Sequence, residues 1–402
     1  MKEMESVRAC LQKEFLRQFG DAKGVRFFFS PSRINIIGEH IDYNGGAVFP
    51  CALTIGTYAL ARPNDRGILR LYSMNLDNRQ DIAYPLPAYD PAHDWGNYAA
   101  GVYLALQQGG LSTAGLDCVV YGNIPNGAGL SSSASVELLF GVIARAFWGE
   151  EDKPTTLELV EAGVWCENEY FGLHTGIMDQ YVIGFGKAGC AMVLDTAHKR
   201  HKQVPLAMDE QGAIFMVLNT KHRRELKDSK YNERREECEK ALARLNALLT
   251  ERGEKPKEHL CDFDLTDLPL LDALDSDTLR RRVRHAITEN ARVKETVVAL
   301  QDGRLDEVGQ LLKEGHASMR DDYEASGPHL DAIVDAAIAA PGCYGARMTG
   351  AGFGGCAIAL VKKEAIEAFS KAVEKAYYEK TGLHPELIVS SAGDGAGEIE
   401  ML

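Results

Sequence analysis

Apolar residues recur along this chain at two spacings, and each spacing is typical of one kind of secondary structure. Leu11, Phe15 and Phe19 follow one another at intervals of four residues, which predicts a helix that Gly20 ends. The same periodicity predicts further helices at residues 97–108, 134–147, 157–170, 279–300 and 305–323, along the stripe of Cys238, Leu242, Leu245 and Leu249, and before Gly382. Short runs rich in apolar and β-branched residues predict strands at residues 25–30, 51–61, 68–73, 118–121, 191–194, 214–218, 344–349 and 356–361.

Helices and strands mix along the chain without a regular alternation of strand, helix and strand, and this mixture predicts an α+β fold. A chain of 402 residues is longer than a single hydrophobic core usually holds, so we expect two domains. The first would comprise residues 1–205 and the second residues 206–402, with the boundary inside the segment 204–211. No internal repeat has the period of a solenoid or a propeller.

Charge and cysteine content narrow the classes of function. The formal net charge of −14 argues against a nucleic-acid or anionic-membrane partner, because such partners are bound through basic surfaces. The nine cysteines contain no CxxC pair and no cluster with histidine, so we expect reduced thiols in a cytoplasmic protein and no zinc site. Neither a secretory leader nor an apolar run of membrane-spanning length is present in the sequence given.

A glycine- and serine-rich segment lies between a predicted strand and a predicted helix. Glycines let backbone N–H groups turn toward a ligand, and the helix start adds free N–H groups and a positive dipole end. The segment therefore predicts a phosphate-binding loop, with Ser131 capping the helix and Ser132 and Ser133 offering hydroxyls to phosphate or a metal ion. It contains no lysine and no GxGxxG spacing, so it is neither a Walker loop nor a dinucleotide fingerprint. An ordinary loop with a serine cap is the alternative. Its residues are Pro125, Asn126, Gly127, Ala128, Gly129, Leu130, Ser131, Ser132, Ser133 and Ala134.

Two further segments are rich in residues that could contact a ligand. Residues 350–355 carry four glycines between two predicted strands, which indicates either close approach to a ligand or a bulged hairpin. Residues 33–46 place Arg33, Glu39, His40 and Asp42 around a buried apolar stretch. Carboxylates, imidazole and guanidinium side by side suit a polyhydroxylated ligand, because sugar hydroxyls both donate and accept hydrogen bonds. A solvated loop with surface ion pairs is the alternative.

These three segments, in this order, resemble the three motifs of the GHMP small-molecule kinase superfamily. Within it, residues 38–46 resemble the sugar signature of galactokinases. Intervening stretches match as well, namely residues 176–180, 229–232, 234–238 and 320–323, so the resemblance covers most of the chain. It implies a two-domain fold with the active site in the cleft between the domains. It also implies transfer of the γ-phosphoryl group of MgATP to the C1 hydroxyl of galactose, the entry step of galactose catabolism.

The resemblance also implies a role for individual residues. Asp179 matches the catalytic aspartate, and Arg33 matches the arginine beside it and beside the transferred phosphoryl group. The residues implied to bind the sugar are Arg33, Glu39, His40, Asp42, Gly176, Asp179 and Tyr231. Those implied to hold Mg²⁺ are Ser133 and Glu167. Residues 125–134 would wrap the ATP phosphates, and Trp95 and Tyr98 match aromatic residues near the nucleotide, although both could equally belong to the core.

Alternatives remain open from the sequence. The chain could prefer N-acetylgalactosamine, or it could be a non-catalytic galactose sensor on the same fold. Ile41 and the run Leu173-His174-Thr175 depart from the commonest galactokinase pattern, which leaves the breadth of sugar selectivity undecided. Asp179 could act as a base or mainly orient the sugar hydroxyl, since an adjacent arginine stabilises the carboxylate. We expect a monomer or weak oligomer.

Overall fold

The computed structural model describes residues 2–125, 129–151, 153–222 and 227–400. The helices are α1 (Lys2–Phe19), α2 (Gly96–Gln108), α3 (Ser132–Trp148), α4 (Thr156–Trp165), α5 (Met178–Phe185), α6 (Lys227–Glu251), α7 (Asp277–Gln301), α8 (Leu305–Asp321), α9 (Pro328–Ala339) and α10 (Ile366–Thr381). The strands are β1 (Arg26–Asn35), β2 (Ala47–Val48), β3 (Pro50–Asn64), β4 (Ile68–Ser73), β5 (Asn78–Ala83), β6 (Gly115–Gly122), β7 (Cys190–Asp195), β8 (Arg200–Pro205), β9 (Ala213–Asn219), β10 (Cys343–Thr349), β11 (Cys356–Lys362), β12 (Glu386–Val389) and β13 (Gly397–Ile399).

The first half of the chain is built on a six-stranded sheet with the order β13-β1-β3-β6-β4-β5. Successive side chains of β1 face opposite sides of this sheet, as expected for a strand. Phe27 packs with Leu11 and Phe15 of α1, whereas Phe28 belongs to the main core beneath the other helices. Because β13 pairs with β1, the C-terminal segment of the chain returns to this sheet. The division at residues 205 and 206 stays a prediction.

The second half is built on a four-stranded antiparallel sheet with the order β10-β11-β9-β12. Along β9 and β11, alternate residues enter two different clusters. Met216 and Ala357 pack with α9 and α10, whereas Val217 and Ile358 join the main core. A smaller sheet, β2-β7-β8, lies beside the polar segment that follows β1. The fold is α+β, as the sequence predicted.

Most predicted elements are present, and the differences have physical reasons. Strand β4 matches its predicted bounds. The predicted helix at 157–170 is α-helical only to Trp165 and continues as a π-helical turn, Cys166–Tyr170. Helix α5, helix α9 and strands β2, β5, β8, β12 and β13 were not predicted. Strand β8 illustrates the reason, because its residues are mostly exposed and polar and carry little apolar periodicity.

Neither disulfides nor membrane-spanning helices are found in the described parts of the chain. All nine cysteines are free. No described helix combines the length and the apolar character needed to cross a bilayer.

Candidate active site

Side chains from both halves of the chain line one cavity of about 290 Å³. The first half contributes Arg33, Glu39, His40, Asp42, Tyr98, Gly129, Ser131, Ser133, Glu167, Leu173, His174, Thr175, Gly176, Met178 and Asp179. The second half contributes Tyr231, Asn232, Gly350 and Ala351. The cavity therefore lies in the cleft between the halves, and it brings together most of the residues that the sequence singled out.

A bidentate ion pair forms the centre of the cavity. Arg33, on β1, donates from Nε to Asp179 Oδ1 and from Nη2 to Asp179 Oδ2, both at 2.7 Å. The arginine is buried, whereas the aspartate side chain, at the first turn of α5, remains 30% exposed toward the cavity. Arg33 Nη1 also donates to the carbonyl oxygen of Gly129 at 3.1 Å. One guanidinium thus holds both the carboxylate and the first glycine loop.

The prediction that Ser131 caps α3 is wrong, because the Ser131 hydroxyl has a different partner. Ser131 precedes α3 in a left-handed conformation, with φ 57° and ψ 48°, and its side chain makes no capping hydrogen bond. Its Oγ donates instead to Asp179 Oδ2. An N-cap residue needs an extended backbone to aim its oxygen at the helix start, and the left-handed conformation prevents that. The N–H groups of the first turn of α3 are therefore not taken up by this side chain.

A second polar group lies on the same side of the cavity. Ser133 Oγ donates to Glu167 Oε1 at 3.0 Å, and Thr175 Oγ1 donates to Glu167 Oε2 at 2.5 Å. Beneath them the buried Glu137 accepts a hydrogen bond from Gln180 Nε2 at 2.9 Å. Burial, and then the charge of Glu167, raise the pKa of Glu137 well above its usual range. Glu167 is thus fixed between two hydroxyls. From the sequence, Thr175 stood out only as a departure from the commonest galactokinase pattern and received no role in the site.

The opposite wall contains a buried group of alternating charges. Glu39 Oε2 lies 2.6 Å from Arg347 Nη2, and the same nitrogen lies 3.0 Å from Glu289 Oε1. Glu289 also pairs with Arg292 at 2.8 Å. Burial raises the pKa of Glu39 to about 7 although Arg347 lowers it. Burial also opposes ionisation of Glu289, but Arg347 and Arg292 outweigh it and lower the pKa of Glu289 to about 2. Arg347 and Glu289 support Glu39, and sequence reasoning missed both.

Gly176 lies in close contact with the carboxylate of Asp42. A Cβ atom on Gly176 would lie 1.7 Å from Asp42 Oδ2 and 2.5 Å from Asp42 Cγ, so only glycine fits beside this carboxylate. Burial, and then the charge of Asp179, raise the pKa of Asp42 to about 6. The rings of Tyr231 and His40 pack with centroids 5.2 Å apart and close this side of the cavity. Burial, followed by the charge of Asp42, raises the pKa of Tyr231 well above its usual range.

The remaining predicted nucleotide-binding residues fall into three groups. Tyr98 lines the cavity, whereas Trp95 is 9% exposed and belongs to the main core. Leu130 and Ala134 are buried, Pro125 is half-buried and Ser132 is exposed. The residues of the loop that lie outside the described part of the chain are Asn126, Gly127 and Ala128.

The second glycine loop contacts the first loop and the sugar segment. A Cβ atom on Gly350, whose φ is 82°, would lie 3.0 Å from the carbonyl oxygen of Gly129. Gly350 N donates to Glu39 Oε1 at 3.3 Å, and His40 Nε2 lies 3.1 Å from the carbonyl oxygen of Ala351. The loop therefore joins the two walls of the cavity.

Three family models match consecutive parts of the chain. The model of the galactokinase galactose-binding signature matches residues 13–63. The model of the GHMP kinase N-terminal domain matches residues 97–187, and that of the GHMP kinase C-terminal region matches residues 296–380.

Relatives match over almost the whole chain. A galactokinase of Exiguobacterium sibiricum is 45% identical over 97% of this chain and 98% of its own length. A galactokinase of Bacillus subtilis is 43% identical over 98% of this chain and 100% of its own length. The structure of Lactococcus lactis galactokinase complexed with galactose superposes with a TM-score of 0.92 at 39% identity, covering 98% of this chain and 100% of that one. Methanococcus jannaschii mevalonate kinase, 17% identical with a TM-score of 0.66, shares the fold.

Proposed function

This chain belongs to the galactokinase family of GHMP kinases, and we propose that Asp179 and Arg33 form the centre at which it phosphorylates galactose. The family's reaction moves the γ-phosphoryl group of ATP to the C1 hydroxyl of the sugar. The observation that carries the proposal is the bidentate pair of these two side chains, which opens onto one cavity with acidic residues on one wall and a helix N-terminus on the other.

The acidic wall provides hydrogen-bond acceptors for the sugar. Glu39 and Asp42 line the cavity, and a carboxylate can accept hydrogen bonds from two or more hydroxyls. Glycine at position 176 leaves the space beside Asp42 free of a side chain. Tyr231 adds an aromatic face, against which the apolar C–H groups of a sugar ring can pack. We propose that these four residues bind galactose next to Asp179.

The other wall suits the phosphates of ATP. The start of α3 presents backbone N–H groups and the positive end of the helix dipole toward the cavity, which is a general anion-binding arrangement. Arg33 contacts both Gly129, just before this helix, and Asp179, and its charge would stabilise the oxygens of the transferred phosphoryl group. We propose that residues 125–134 hold the phosphate chain, with Tyr98 nearer the nucleoside.

The neighbouring Ser133 hydroxyl and Glu167 carboxylate fit a magnesium ion. Mg²⁺ prefers oxygen ligands, and with ATP it usually takes one or two protein ligands and completes its shell with phosphate oxygens and water. The two side chains are 3.0 Å apart, and no group of three or more His, Cys, Asp or Glu suited to a metal occurs among the residues described. We propose that Ser133 and Glu167 hold Mg²⁺, which when bound would offset the negative charge of the phosphates.

Phosphoryl transfer then depends mainly on positioning and charge stabilisation. As the C1 oxygen bonds to the γ-phosphorus, the bond from this phosphorus to the bridging oxygen breaks and ADP leaves with the electron pair. Asp179 accepts the proton of the C1 hydroxyl. Its Oδ2 already accepts from Ser131, so we propose that the sugar hydroxyl replaces Ser131 as a donor when galactose binds. Arg33 keeps the carboxylate in place during this exchange.

The experiment that tests this proposal measures ATP-dependent phosphorylation across a panel of acceptors. Galactose, N-acetylgalactosamine and glucose are the test sugars, and homoserine and mevalonate are the controls from the wider superfamily. Phosphorus NMR locates the phosphate on the product. We expect fast turnover of galactose with the phosphate at C1. Faster turnover of N-acetylgalactosamine would reassign the sugar, and galactose binding without phosphoryl transfer would favour a sensor and overturn the roles of Asp179 and Arg33.

A further inference from the structure

Asn168 and Thr175 form a reciprocal pair of hydrogen bonds beside the cavity. Thr175 N donates to Asn168 Oδ1 at 2.8 Å, and Asn168 Nδ2 donates to the carbonyl oxygen of Thr175 at 3.3 Å. A backbone N–H only donates and a carbonyl oxygen only accepts, so the partners fix which end of the amide faces which atom. One side chain therefore holds both backbone polar groups of Thr175, and we call this arrangement the Asn168 clamp.

The Asn168 clamp joins a π-helical turn to the loop that follows it. Asn168 lies on the turn Cys166–Tyr170, and turns of this kind are rare and frequently occur at functional sites. Leu173 N donates to the carbonyl oxygen of Glu167, on the same turn, at 2.9 Å. The loop at residues 171–177 is thus folded back over the turn that carries Glu167.

The same loop is also held from the second half of the chain. Arg235, on α6, donates from Nη1 to the carbonyl oxygen of His174 at 3.1 Å. Three consecutive residues, Leu173, His174 and Thr175, are therefore each bound by a hydrogen bond at a backbone atom. These are the three residues that depart from the commonest galactokinase pattern, so the departure falls on a loop whose backbone is fixed at three points.

The hydroxyl of Thr175 connects the Asn168 clamp to the proposed metal ligand. Thr175 Oγ1 lies 2.5 Å from Glu167 Oε2 and 3.2 Å from Asn168 Oδ1. A hydroxyl has one proton, and the shorter contact is to a carboxylate, the stronger acceptor, so the proton is donated to Glu167. Glu167 Oε1 accepts from Ser133 at 3.0 Å. Because Thr175 holds Oε2, Oε1 is the oxygen that stays beside Ser133, the other residue proposed to hold Mg²⁺.

The residue after Thr175 belongs to the sugar wall of the cavity. Gly176 lies so close to Asp42 that a Cβ atom there would be 1.7 Å from Oδ2 of this carboxylate. A small shift of the loop backbone would therefore change the space beside Asp42. The Asn168 clamp thus lies between the proposed metal ligand Glu167 on one side and the proposed sugar contact Gly176 on the other.

We propose that Asn168 and Thr175 are positioning residues that set the metal site and the sugar site from one loop. Thr175 acts on the metal site through its hydroxyl, which orients the Glu167 carboxylate. Asn168 acts on both sites, because it holds the backbone from which the Thr175 hydroxyl and Gly176 are placed. This inference rests on the proposed function, and it gives a role to two residues outside the set that the resemblance implies.

Two substitutions of Thr175 test the contact to the metal ligand. Thr175→Val removes the hydroxyl but keeps the branched shape and the backbone bonds, whereas Thr175→Ser keeps the hydroxyl. Mn²⁺ binding to the ATP-loaded protein, measured by electron paramagnetic resonance, should weaken about tenfold to a hundredfold in Thr175→Val, the usual cost of losing a hydrogen bond to a metal ligand. In Thr175→Ser it should stay within about twofold of the wild type. Galactose affinity, measured by calorimetry without nucleotide, should stay within about twofold in both variants.

Asn168→Ala tests the backbone part of the clamp and has a matched control. Asn246, half-buried like Asn168, makes the same reciprocal pair on α6, because Lys257 N donates to its Oδ1 and its Nδ2 donates to the carbonyl oxygen of Lys257, both at 2.8 Å. We expect Asn168→Ala to weaken both galactose and Mn²⁺ binding about fivefold to tenfold, the scale of one lost hydrogen bond. Asn246→Ala should change neither affinity.

The outcomes separate positioning from general destabilisation. Wild-type Mn²⁺ affinity in Thr175→Val would overturn the proposal, as would wild-type galactose affinity in a folded Asn168→Ala variant or an equal loss in Asn246→Ala. If Asn168→Ala does not fold, the comparison of Thr175→Val with Thr175→Ser still decides. Failure of the proposed function would appear in the wild type itself, which would then transfer no phosphoryl group to galactose. Failure of this inference would appear only in the comparison of binding among the variants.

Discussion

Replacement of Gly176 by alanine should weaken galactose binding far more than the small size of the added methyl group suggests. The added Cβ would lie 1.7 Å from Asp42 Oδ2, about half the distance of an ordinary contact, so the carboxylate must move by more than 1 Å. Asp42 would then lose the hydrogen bonds that we propose it makes to the sugar. A hydrogen bond to a charged group is worth about 1.5–3 kcal/mol, which corresponds to a rise of about 10-fold to 150-fold in KM for galactose.

Initial rates at varied galactose and saturating ATP measure this effect, and KM for ATP should change little. Gly327→Ala is the matched control, because a Cβ atom there meets nothing within 4 Å and the backbone is extended, with φ −178°. The variant should keep the wild-type KM for both substrates. If Gly176→Ala bound galactose as tightly as the control does, Asp42 would not be the sugar ligand that we propose.

Three further predictions follow from the charges of the site. Because burial raises the pKa values of Glu39 to about 7 and Asp42 to about 6, galactose affinity should weaken as pH falls from 8 to 5.5, where ordinary carboxylates stay ionised. Titration calorimetry should show this loss, and Glu39→Gln should remove the step near pH 7. Arg347→Met should lower the free energy of unfolding in urea by about 3–5 kcal/mol, since it leaves two buried carboxylates without their shared cation, whereas Arg304→Met on the surface should have no measurable effect. Glu167→Gln should weaken Mn²⁺ binding to the ATP-loaded protein at least tenfold by electron paramagnetic resonance, and unchanged affinity would exclude Glu167 as a metal ligand.

The sequence could predict those parts of the site whose polar and glycine residues lie within one short stretch of the chain. Residues 33–46 and 125–134 each carry several polar or glycine residues within one short stretch, and the motif order is itself distinctive. Helix α3 and strand β4 were predictable for the same reason, because their apolar periodicity is local. The cavity indeed contains side chains from both stretches.

The parts that sequence could not predict depend on contacts between distant residues. Arg347 supports Glu39 from the last strand before the second glycine loop, and no local spacing connects them. Likewise, serine before a helix predicts a cap, but the left-handed backbone of Ser131 directs its hydroxyl to Asp179. In both cases the partner of the side chain is set by the tertiary structure and not by the local sequence. The short strand β13 was missed because its pairing partner, β1, lies at the other end of the chain.

The most direct test of Asp179 as the proton acceptor in phosphoryl transfer is the turnover of the Asp179→Asn variant. The variant keeps the shape of the side chain and can still contact Arg33, but it cannot accept the proton of the C1 hydroxyl. With its fold verified by circular dichroism and its galactose affinity by calorimetry, we expect kcat to fall by about 10²-fold to 10⁴-fold, the usual contribution of a general base. A folded variant that binds galactose and turns over at close to the wild-type rate would contradict the assignment of Asp179 as the proton acceptor.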